Sequence, residues 1–388
     1  MIKLGLYASV ANPPAGENLD RCVQEAIAEA ELAEACGFHG FFFGEHHQDR
    51  DGFLPSPLIV CSAVAARTKT IQIGTSVVLL PLHHPLRVAE DVATLDIVSG
   101  GRVAFGVGLA YQEADFRAFG IKKKDRVGRF EEAIEILEKS WSGEYFSYHG
   151  KHFQIDDVRV LPRPIQRPRP PLWIGAWVPA AIERAARLGD ALVFSPSMPL
   201  APTIEAVALY RAAAEKAGRV GEVVMMRDAW VADSLEDAAR VYGPEVVAAY
   251  KYYWRNGAEA FRDITSEDEL EFETMWKDRI ITGDPETCVA EFKRWSAATG
   301  SSYFLLRLRH AHSGGPSHTE IMKAIERFGR DVIPHLGERG GFGHGAAGSG
   351  HRHIPHPHAE WVAGGLVPVY RIGSPPSPSG QGGQWRQL

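Results

Sequence analysis

The sequence predicts an α/β fold: a closed (β/α)8 TIM barrel with a β-hairpin insertion, a long late insertion and a disordered C-terminal tail. Short strand-like runs alternate with segments of helical periodicity, which implies parallel strands joined by right-handed crossovers. The alternation occurs eight times, and eight such units close a barrel. With 388 residues, of which 45% are hydrophobic, the chain can bury a core of this size.

The first four units follow one another without interruption. Apolar runs predict strands over 2–8, 38–43, 70–78 and 102–108. Helical spacing of apolar residues predicts helices near 18–36, 57–67, 86–99 and 126–141. Glycine follows two of these helices as a C-terminal stop signal, at Gly37 and at Gly100-Gly101.

The second half of the chain is less regular. Residues 144–160 predict a β-hairpin outside the alternation, and the proline-rich stretch 162–171 predicts a rigid connector. Four more strands are predicted near 172–176, 191–195, 223–231 and 302–308. Residues 243–280 are charged, aromatic and too long for a simple connection, so they form either a helical insertion or a mobile lid.

The composition changes sharply near residue 338, where the chain becomes rich in Gly, His, Ser, Pro and Gln. Such a segment cannot bury enough apolar surface to offset its ordering entropy. We therefore expect a barrel domain over 1–337 and a low-complexity, disordered tail over 338–388. A histidine-rich tract can bind a metal ion, but we disfavour this role because a disordered tail would not hold the ligands in geometry.

Charge and cysteine content narrow the class of protein. A net charge of −6 and a pI near 6.3 argue against nucleic acid and anionic membrane surfaces as partners. The four cysteines lack metal-ligand spacing and are expected to be reduced thiols. The N-terminus predicts a first strand and no signal peptide, and no apolar run approaches the roughly 20 residues that span a bilayer. We expect a cytoplasmic protein without a metal site.

The most informative motif is Phe41-Phe42-Phe43-Gly44-Glu45-His46-His47-Gln48. Its three phenylalanines predict a parallel strand that is buried on both faces. Enzymes built on such sheets keep their chemistry at the carboxyl ends of the strands, where this motif places a carboxylate and two imidazoles. Because these groups suit proton transfer, Glu45, His46 and His47 are the candidate catalytic residues.

The carboxyl ends of the third and fourth predicted strands carry mostly small residues. The third strand ends at Ser76-Val77, and the loop beyond it carries His83 and His84. The fourth strand ends at Gly106 and Gly108, whose missing side chains let a planar ring approach the backbone.

Two later strand ends offer groups that bind anions or carry charge. The fifth strand ends at Gly175-Ala176-Trp177, and a helix begins near Pro179. Free amides at a helix N-terminus suit a phosphate group. The eighth strand ends with Arg307, Arg309 and His310.

An ordered set of motifs carries a family resemblance. The set comprises Glu45-His46-His47, 73–81 (IGTSVVLLP), 84–91 (HPLRVAED), 99–102 (SGGR), 115–120 (DFRAFG) and 126–132 (RVGRFEE). Together these motifs closely resemble the bacterial luciferase-like flavin-dependent monooxygenases, in particular the luciferase alpha subunit. The likeness is strongest over 1–195 and returns at 283–286 and 328–336.

The resemblance implies a barrel that binds reduced FMN, supplied by a separate flavin reductase, and uses dioxygen to oxygenate a small organic substrate. Within that resemblance, His46 matches the imidazole that acts as general acid/base, and Glu45 and His47 match neighbours that orient it. Ser76-Val77 matches the position of a non-proline cis peptide beneath the flavin ring.

The candidate cofactor-binding residues are Ser76, Val77, Gly108, Arg126, Arg129, Gly175, Ala176, Trp177 and Val178. The phosphate site departs from the family pattern, because Leu109 replaces an arginine, and Val178 and Ala181 replace hydroxyl residues. The amides of 176–178, helped by Arg126 or Arg129, could still hold a phosphate. Trp177 either walls the pocket or packs within the fold.

Two alternatives stay open. The first is an oxidoreductase that uses a deazaflavin coenzyme for hydride transfer on the same barrel. The second is a non-catalytic flavin-binding subunit, against which the complete Glu-His-His set argues. A metal hydrolase is disfavoured because adjacent histidines point in opposite directions along a strand. The resemblance also implies a homodimer, and the substrate remains unassigned.

Overall fold

The computed structural model describes residues 1–337 and contains eleven strands in that range. The strands are β1 (Lys3–Ala8), β2 (Gly40–Phe43), β3 (Gln72–Thr75), β4 (Val103–Val107), β5 (Phe146–His149), β6 (Gln154–Val158), β7 (Leu172–Gly175), β8 (Ala191–Phe194), β9 (Glu222–Val231), β10 (Ile280–Gly283) and β11 (Tyr303–Arg307). Eight of them pair in parallel in the order β1-β2-β3-β4-β7-β8-β9-β11, and β11 pairs back onto β1. The predicted closed barrel is confirmed.

Helices surround the barrel. They are α1 (Leu19–Ala35), α2 (Pro57–Arg67), α3 (Pro85–Ser99), α4 (Glu113–Ala118), α5 (Arg126–Ser142), α6 (Pro179–Leu188), α7 (Leu200–Lys216), α8 (Leu235–Val241), α9 (Gly243–Arg255), α10 (Phe272–Met275), α11 (Pro285–Thr299) and α12 (His318–Arg327). The predicted hairpin is also present, as the antiparallel pair β5 and β6.

The three phenylalanines of β2 show how one short strand serves two cores. Phe41 and Phe43 belong to the large cluster between barrel and helices, whereas Phe42 belongs to a separate cluster inside the barrel. All three are at most 1% exposed, because successive side chains of a strand point to opposite faces and here both faces are covered. Inside the barrel, Phe42 stacks on Trp173 with ring centroids 5.0 Å apart.

Three local differences from the sequence-based prediction stand out. The third strand ends at Thr75 instead of 78, although Val78 still forms an isolated bridge to Val107. Helix α4 was not predicted. Strand β10 was not predicted either, because it forms only by pairing with the outer half of the long strand β9, from Asp228 to Val231.

The late insertion over 243–280 contains α9 and α10, and buried polar contacts fasten it to the barrel. Asp228 of β9, which has no exposed surface, accepts hydrogen bonds from Tyr250 of α9 at 2.7 Å and from Arg307 of β11 at 2.7 and 3.1 Å. Arg307 also donates to the Tyr253 hydroxyl at 3.3 Å. The insertion is therefore a helical element anchored at the carboxyl end of the barrel.

Other features of the described residues complete the fold. All four cysteines are free. None of the helices between residues 1 and 337 is long and apolar enough to cross a lipid bilayer. The tail predicted over 338–388 lies outside the described residues.

Candidate active site

The carboxyl end of β2 is shaped by a contact with β1. A Cβ atom built on Gly44 would overlap the hydroxyl group of Tyr7. Gly44 follows Phe42 by two residues and therefore faces the barrel interior, where only hydrogen leaves room for the phenol. The chain then turns outward into the loop that carries the candidate catalytic residues.

Glu45 is the centre of a buried hydrogen-bond network. Its Oε1 lies 2.6 Å from Nε2 of His47 and 2.7 Å from Nε2 of His83, and its Oε2 accepts from the amide of Leu79 at 2.9 Å. An ionised carboxylate can only accept, so both imidazoles donate from Nε2. The network joins the loop after β2 to the loop after β3.

These contacts set the charge of the network. Burial of Glu45 raises its pKa, but the hydrogen bonds from His47, His83 and Leu79 outweigh burial and hold the pKa at about 2. Burial lowers the pKa of His47, and here too the Glu45 carboxylate prevails and raises it above the ordinary value. Glu45 is therefore ionised, and His47 holds a proton more readily than an isolated histidine.

Glu45, His47 and His83 also offer three potential metal ligands within 4.8 Å of one another, the one such group found among the described residues. The two N···O distances of 2.6 and 2.7 Å are hydrogen-bond lengths. Two ligands of a tetrahedral zinc ion would lie about 3.3 Å apart, given metal–ligand bonds of about 2.05 Å. In this structure the three residues form a hydrogen-bonded cluster.

His46 points away from this network. Its Nδ1 lies 3.5 Å from Asp49 Oδ2 and 3.5 Å from Gln112 Nε2, and its ring packs against Phe53 with centroids 4.6 Å apart. The contacts on Nδ1 leave Nε2 without a partner among residues 1–337. Burial lowers the pKa of His46, although the Asp49 carboxylate opposes this effect, so the imidazole is neutral and able to accept a proton.

The three candidate catalytic residues thus fall into two groups. Glu45 and His47 contact each other, and neither makes a described contact with the His46 side chain. The groups nearest to Nδ1 of His46 are Asp49 and Gln112, which the sequence did not single out. Asp49 lies in the loop after β2 and Gln112 in the loop after β4, so the two residues come together only in the closed barrel. In the sequence, the one feature that could have pointed to this contact is the acidic residue three positions after His46.

A wall of small residues lies at the ends of β3, β4 and β7. Val77 occupies its centre: a Cβ on Gly108 would lie 2.6 Å from Val77 Cγ2, and one on Gly175 would lie 3.2 Å from Val77 Cγ1. The Ser76–Val77 peptide bond is cis, and the Ser76 hydroxyl is buried without a partner in the described part of the chain. A surface with so little side-chain bulk suits the flat face of a flavin ring. The unpartnered hydroxyl suits the polar atoms at the edge of such a ring.

The predicted phosphate site is only partly assembled. The amide of Ala176 is taken by Val193, at 3.4 Å, whereas the amides of Trp177 and Val178 have no acceptor within residues 1–337. Both side chains are exposed, at 45% and 44%, next to the N-terminus of α6. These two amides fit an anionic group such as a phosphate.

The two candidate arginines differ in how far they are engaged. Arg129 donates from Nε to the Pro81 carbonyl at 2.8 Å and lies over the ring of Phe153 at 4.7 Å, which holds it in place. Arg126, at the start of α5, has no described partner. No described contact joins either arginine to Trp177 or Val178.

Exposed aromatic and apolar side chains collect around the barrel mouth. The exposed large apolar residues of the loops and helices at this end are Tyr111, Phe119, Trp177, Val178 and Tyr252. Phe119 packs on His47 with ring centroids 4.8 Å apart, and Tyr111 approaches His46 at 6.1 Å. These side chains give the mouth apolar surface beside His46 and His47.

Comparisons with known proteins identify the family and the fold. A family model described as luciferase-like monooxygenase matches residues 2–302. Two uncharacterized proteins of Sinorhizobium fredii are 42% and 35% identical to the chain over 161 and 170 residues, which cover 41% and 44% of this chain. The alignments span 47% and 48% of those proteins, so the chain matches about half of their length.

Two other relatives match over most of their length. The oxygenase component of a flavin-dependent trigonelline monooxygenase from Acinetobacter baylyi is 26% identical over 331 residues, covering 81% of this chain and 90% of the relative. An F420-dependent glucose-6-phosphate dehydrogenase from Amycolatopsis mediterranei is 27% identical over 329 residues, covering 81% and 94%.

Solved structures show the same fold. The monooxygenase RslO1 from Streptomyces bottropensis superposes with a TM-score of 0.73 at 27% identity, covering 86% of this chain and 99% of that one. The FMN complex of the oxygenating constituent of 3,6-diketocamphane monooxygenase from Pseudomonas putida gives a TM-score of 0.72 at 19% identity, covering 86% and 98%. At 19% identity the likeness concerns the fold alone.

Proposed function

The chain belongs to the family of luciferase-like monooxygenases, and on that premise we propose that it is a flavin-dependent monooxygenase. It would use reduced FMN and dioxygen to oxygenate a small organic substrate. We assign this activity to a barrel domain over 1–337 and treat 338–388 as a separate tail.

The observation that carries the proposal is the state of His46. Its Nδ1 lies 3.5 Å from Asp49 Oδ2 and from Gln112 Nε2, burial lowers its pKa so that the imidazole is neutral, and Nε2 has no partner among residues 1–337 at the mouth of the barrel. A neutral imidazole in this position can take a proton from a reacting group and return it, which contributes roughly 10²–10⁴-fold to a rate. We assign proton transfer to Nε2 of His46.

The other residues hold the parts in place. Bound reduced flavin would supply the electrons with which dioxygen is activated. The wall at Ser76, Val77, Gly108 and Gly175 would support its ring. The amides of Ala176, Trp177 and Val178, with Arg126 or Arg129, form the proposed phosphate site; of these amides, that of Ala176 already bonds to Val193.

We propose that Glu45 and His47 position the catalytic group and do not themselves transfer a proton. With His83 they join two loops of the mouth through hydrogen bonds of 2.6 and 2.7 Å. We propose that this network keeps the backbone on either side of His46 in position, so that Nε2 stays aimed at the mouth.

The proposal includes two partners. The similar trigonelline enzyme is described as an oxygenase component, which supports a separate flavin reductase as the source of reduced FMN. We also propose that the chain forms a homodimer and works in the cytoplasm.

A deazaflavin coenzyme is the second candidate, and the similarity to an F420-dependent dehydrogenase favours it specifically. In that case the same barrel would hold a hydride carrier, and His46 would protonate or shield the substrate. Dioxygen would then take no part in the reaction.

Anaerobic titration with reduced FMN and with reduced deazaflavin, followed by admission of air, distinguishes these candidates. We expect tight binding of reduced FMN and a transient oxygenated-flavin absorbance on mixing with dioxygen. Tight binding of reduced deazaflavin instead would support the second candidate. Binding of flavin without either reaction would indicate a non-catalytic subunit.

The role of His46 is tested in the same assay. We expect His46→Ala to bind flavin normally and to lower single-turnover product formation by roughly 10²-fold or more. His149→Ala, an exposed histidine of the hairpin, serves as the control and should keep wild-type turnover. Near-normal turnover by His46→Ala would refute the assignment.

A further inference from the structure

A second histidine–aspartate pair lies at the same mouth as His46. We propose that His312, held by Asp51, is a second proton-transfer residue of the site and works together with His46. The inference rests on the proposed function, because it assigns an additional group to the same chemistry.

The geometry of His312 resembles that of His46. His312 Nδ1 lies 3.1 Å from Asp51 Oδ2, a close polar contact that falls short of ideal hydrogen-bond alignment. The two side chains are 8% and 7% exposed. Since Nδ1 faces the carboxylate, Nε2 is the nitrogen left for exchange, and it has no hydrogen-bond partner among the described residues.

The ring of His312 is held on a second side by helix α9. Tyr252 stacks on it with centroids 3.7 Å apart and planes inclined by 21°, and Tyr253 meets it edge-on at 5.4 Å. The aspartate fixes one nitrogen and the tyrosines fix the plane, so the remaining nitrogen has a defined direction. Such restraint is what a proton-transfer group requires.

The two pairs are close enough to influence each other. Asp51 follows His46 by five residues in the same loop, where its backbone carbonyl accepts from Asn12 and its carboxylate from the Phe53 amide. The charge of His312 lowers the pKa of His46, and the charge of Asp51 raises it. A proton on one imidazole therefore disfavours a proton on the other.

The groups that face His312 come from three elements. They are Asp51 and His46 from the loop after β2, His310 from the loop after β11, and Tyr252 and Tyr253 from α9. Glu245, also of α9, accepts hydrogen bonds from Ser313 and Gly315, which follow His312 in the same loop. Of these groups, Asp51 is the carboxylate in direct contact with His312.

The other buried histidine of this loop has a different role. The Tyr242 hydroxyl donates to the Arg307 carbonyl at 2.8 Å, so His310 donates from Nε2 to the hydroxyl oxygen, 2.9 Å away. Burial and the Arg307 charge lower its pKa to about 3, so it stays neutral over the working pH range. His312 is thus the histidine of this loop that is suited to exchange a proton.

The pairing gives the site an acid and a base at once. Reduction of dioxygen by a reduced flavin takes up protons, whereas a neutral His46 can only accept one. In our proposal the acid is the imidazolium form of His312: its Nε2–H bond breaks and an O–H bond forms on the oxygen species that reduction would produce. Nδ1 keeps its proton facing Asp51, and solvent later returns a proton to Nε2.

Histidine titration by NMR tests the coupling without any cofactor. We expect His312→Gln to raise the pKa of His46, because a positive neighbour is lost, and Asp51→Asn to lower the pKa of His46, because a negative neighbour is lost. His318→Gln is the control, since His318 pairs with Glu29 at 2.9 Å between α1 and α12. An unchanged His46 titration in His312→Gln would overturn the proposal.

The pH profile of flavin reoxidation tests the chemistry. With FMN bound to wild-type extent, His312→Gln should release hydrogen peroxide about tenfold more slowly than the wild type, and the pH dependence of that rate should change. His318→Gln should keep the wild-type profile. A wild-type profile in His312→Gln would refute the role of His312 and leave His46 standing, whereas absence of FMN binding in the wild type would refute the proposed function itself.

Discussion

At the scale of single residues, the loop that carries Glu45 and His46 depends on the absence of a side chain at Gly44. Gly44 faces the hydroxyl of Tyr7, and any larger residue would displace the phenol or the loop. Strand β2, which precedes Gly44, is completely buried and close-packed, so it cannot shift to make room. A larger residue at position 44 would therefore displace Glu45 and His46.

We predict that Gly44→Ala lowers the free energy of unfolding by about 1–3 kcal/mol, the usual cost of overpacking a buried site. Tyr7→Phe removes the overlapping oxygen, although the ring carbon behind it would still lie 3.1 Å from the added Cβ. The double variant should therefore recover part of the loss, as measured by urea unfolding of all four proteins. Additive losses in the double variant would contradict the proposed overlap.

The Glu45 network gives a second residue-level prediction. Glu45→Gln leaves the N–H groups of His47 and His83 facing an amide, and we expect a loss of about 1–3 kcal/mol at pH 7. Glu31→Gln, at an exposed pair with Arg67, is the matched control and should cost less than about 1 kcal/mol.

The pH dependence of that loss has a definite sign. The pKa of Glu45 is about 2 in the folded protein, below the ordinary value of 4.5, so its contribution is complete above pH 4.5 and disappears as the pH falls towards 2. The difference between wild type and Glu45→Gln should therefore shrink below pH 4.5 in urea unfolding. A difference that stays constant down to pH 3 would contradict an ionised, hydrogen-bonded Glu45.

At the scale of elements, helix α9 is held at the mouth by the buried pair of Asp228 and Arg307. We predict that Arg307→Met lowers the free energy of unfolding by about 3–5 kcal/mol, because it leaves a buried carboxylate without its cation. Arg255→Met, which breaks an exposed pair with Glu267 on the same insertion, should cost less than about 1 kcal/mol. Urea unfolding of both variants checks the comparison.

The same variant distinguishes an anchored wall from a mobile lid. If the insertion is anchored through Arg307, amide exchange in α9 of the wild type should be slow, and Arg307→Met should accelerate it. Fast exchange in α9 of both proteins would show that the helix opens independently of the buried pair.

At the scale of the whole molecule, one buried histidine makes stability depend on pH. The pKa of His310 is about 3 when folded and 6.5 ordinarily, so its contribution is complete above pH 6.5 and is lost as the pH falls. Between pH 8 and pH 5 this amounts to about 2 kcal/mol for the one group.

We therefore predict that His310→Gln flattens the loss of unfolding free energy between pH 8 and pH 5 by about 2 kcal/mol. His149→Gln, whose side chain is 60% exposed, should leave the pH dependence unchanged. Equal pH dependence in all three proteins would show that His310 titrates normally and is not enclosed.

Elements with strong local signals were predictable. Helix α2 runs from Pro57 to Arg67 as its apolar spacing indicates, and the hairpin forms where two aromatic runs flank His149-Gly150. Strand β10 escaped prediction because its four residues become a strand only against the outer half of β9. Periodicity records local preference, whereas that pairing joins segments more than 50 residues apart.

The sequence by itself determined that this chain forms a barrel and that its Glu-His-His motif lies at a strand end. The order of apolar and polar residues is enough to show that strands alternate with helices and that the strand before the motif is buried on both faces. Only the tertiary structure decided which of those three residues contact one another and which neighbours each of them has. It set Glu45 and His47 against His83, placed His46 beside Asp49 and Gln112, and brought His312 to the same mouth. The partners come from loops after different strands, and closure of the barrel alone makes such loops neighbours.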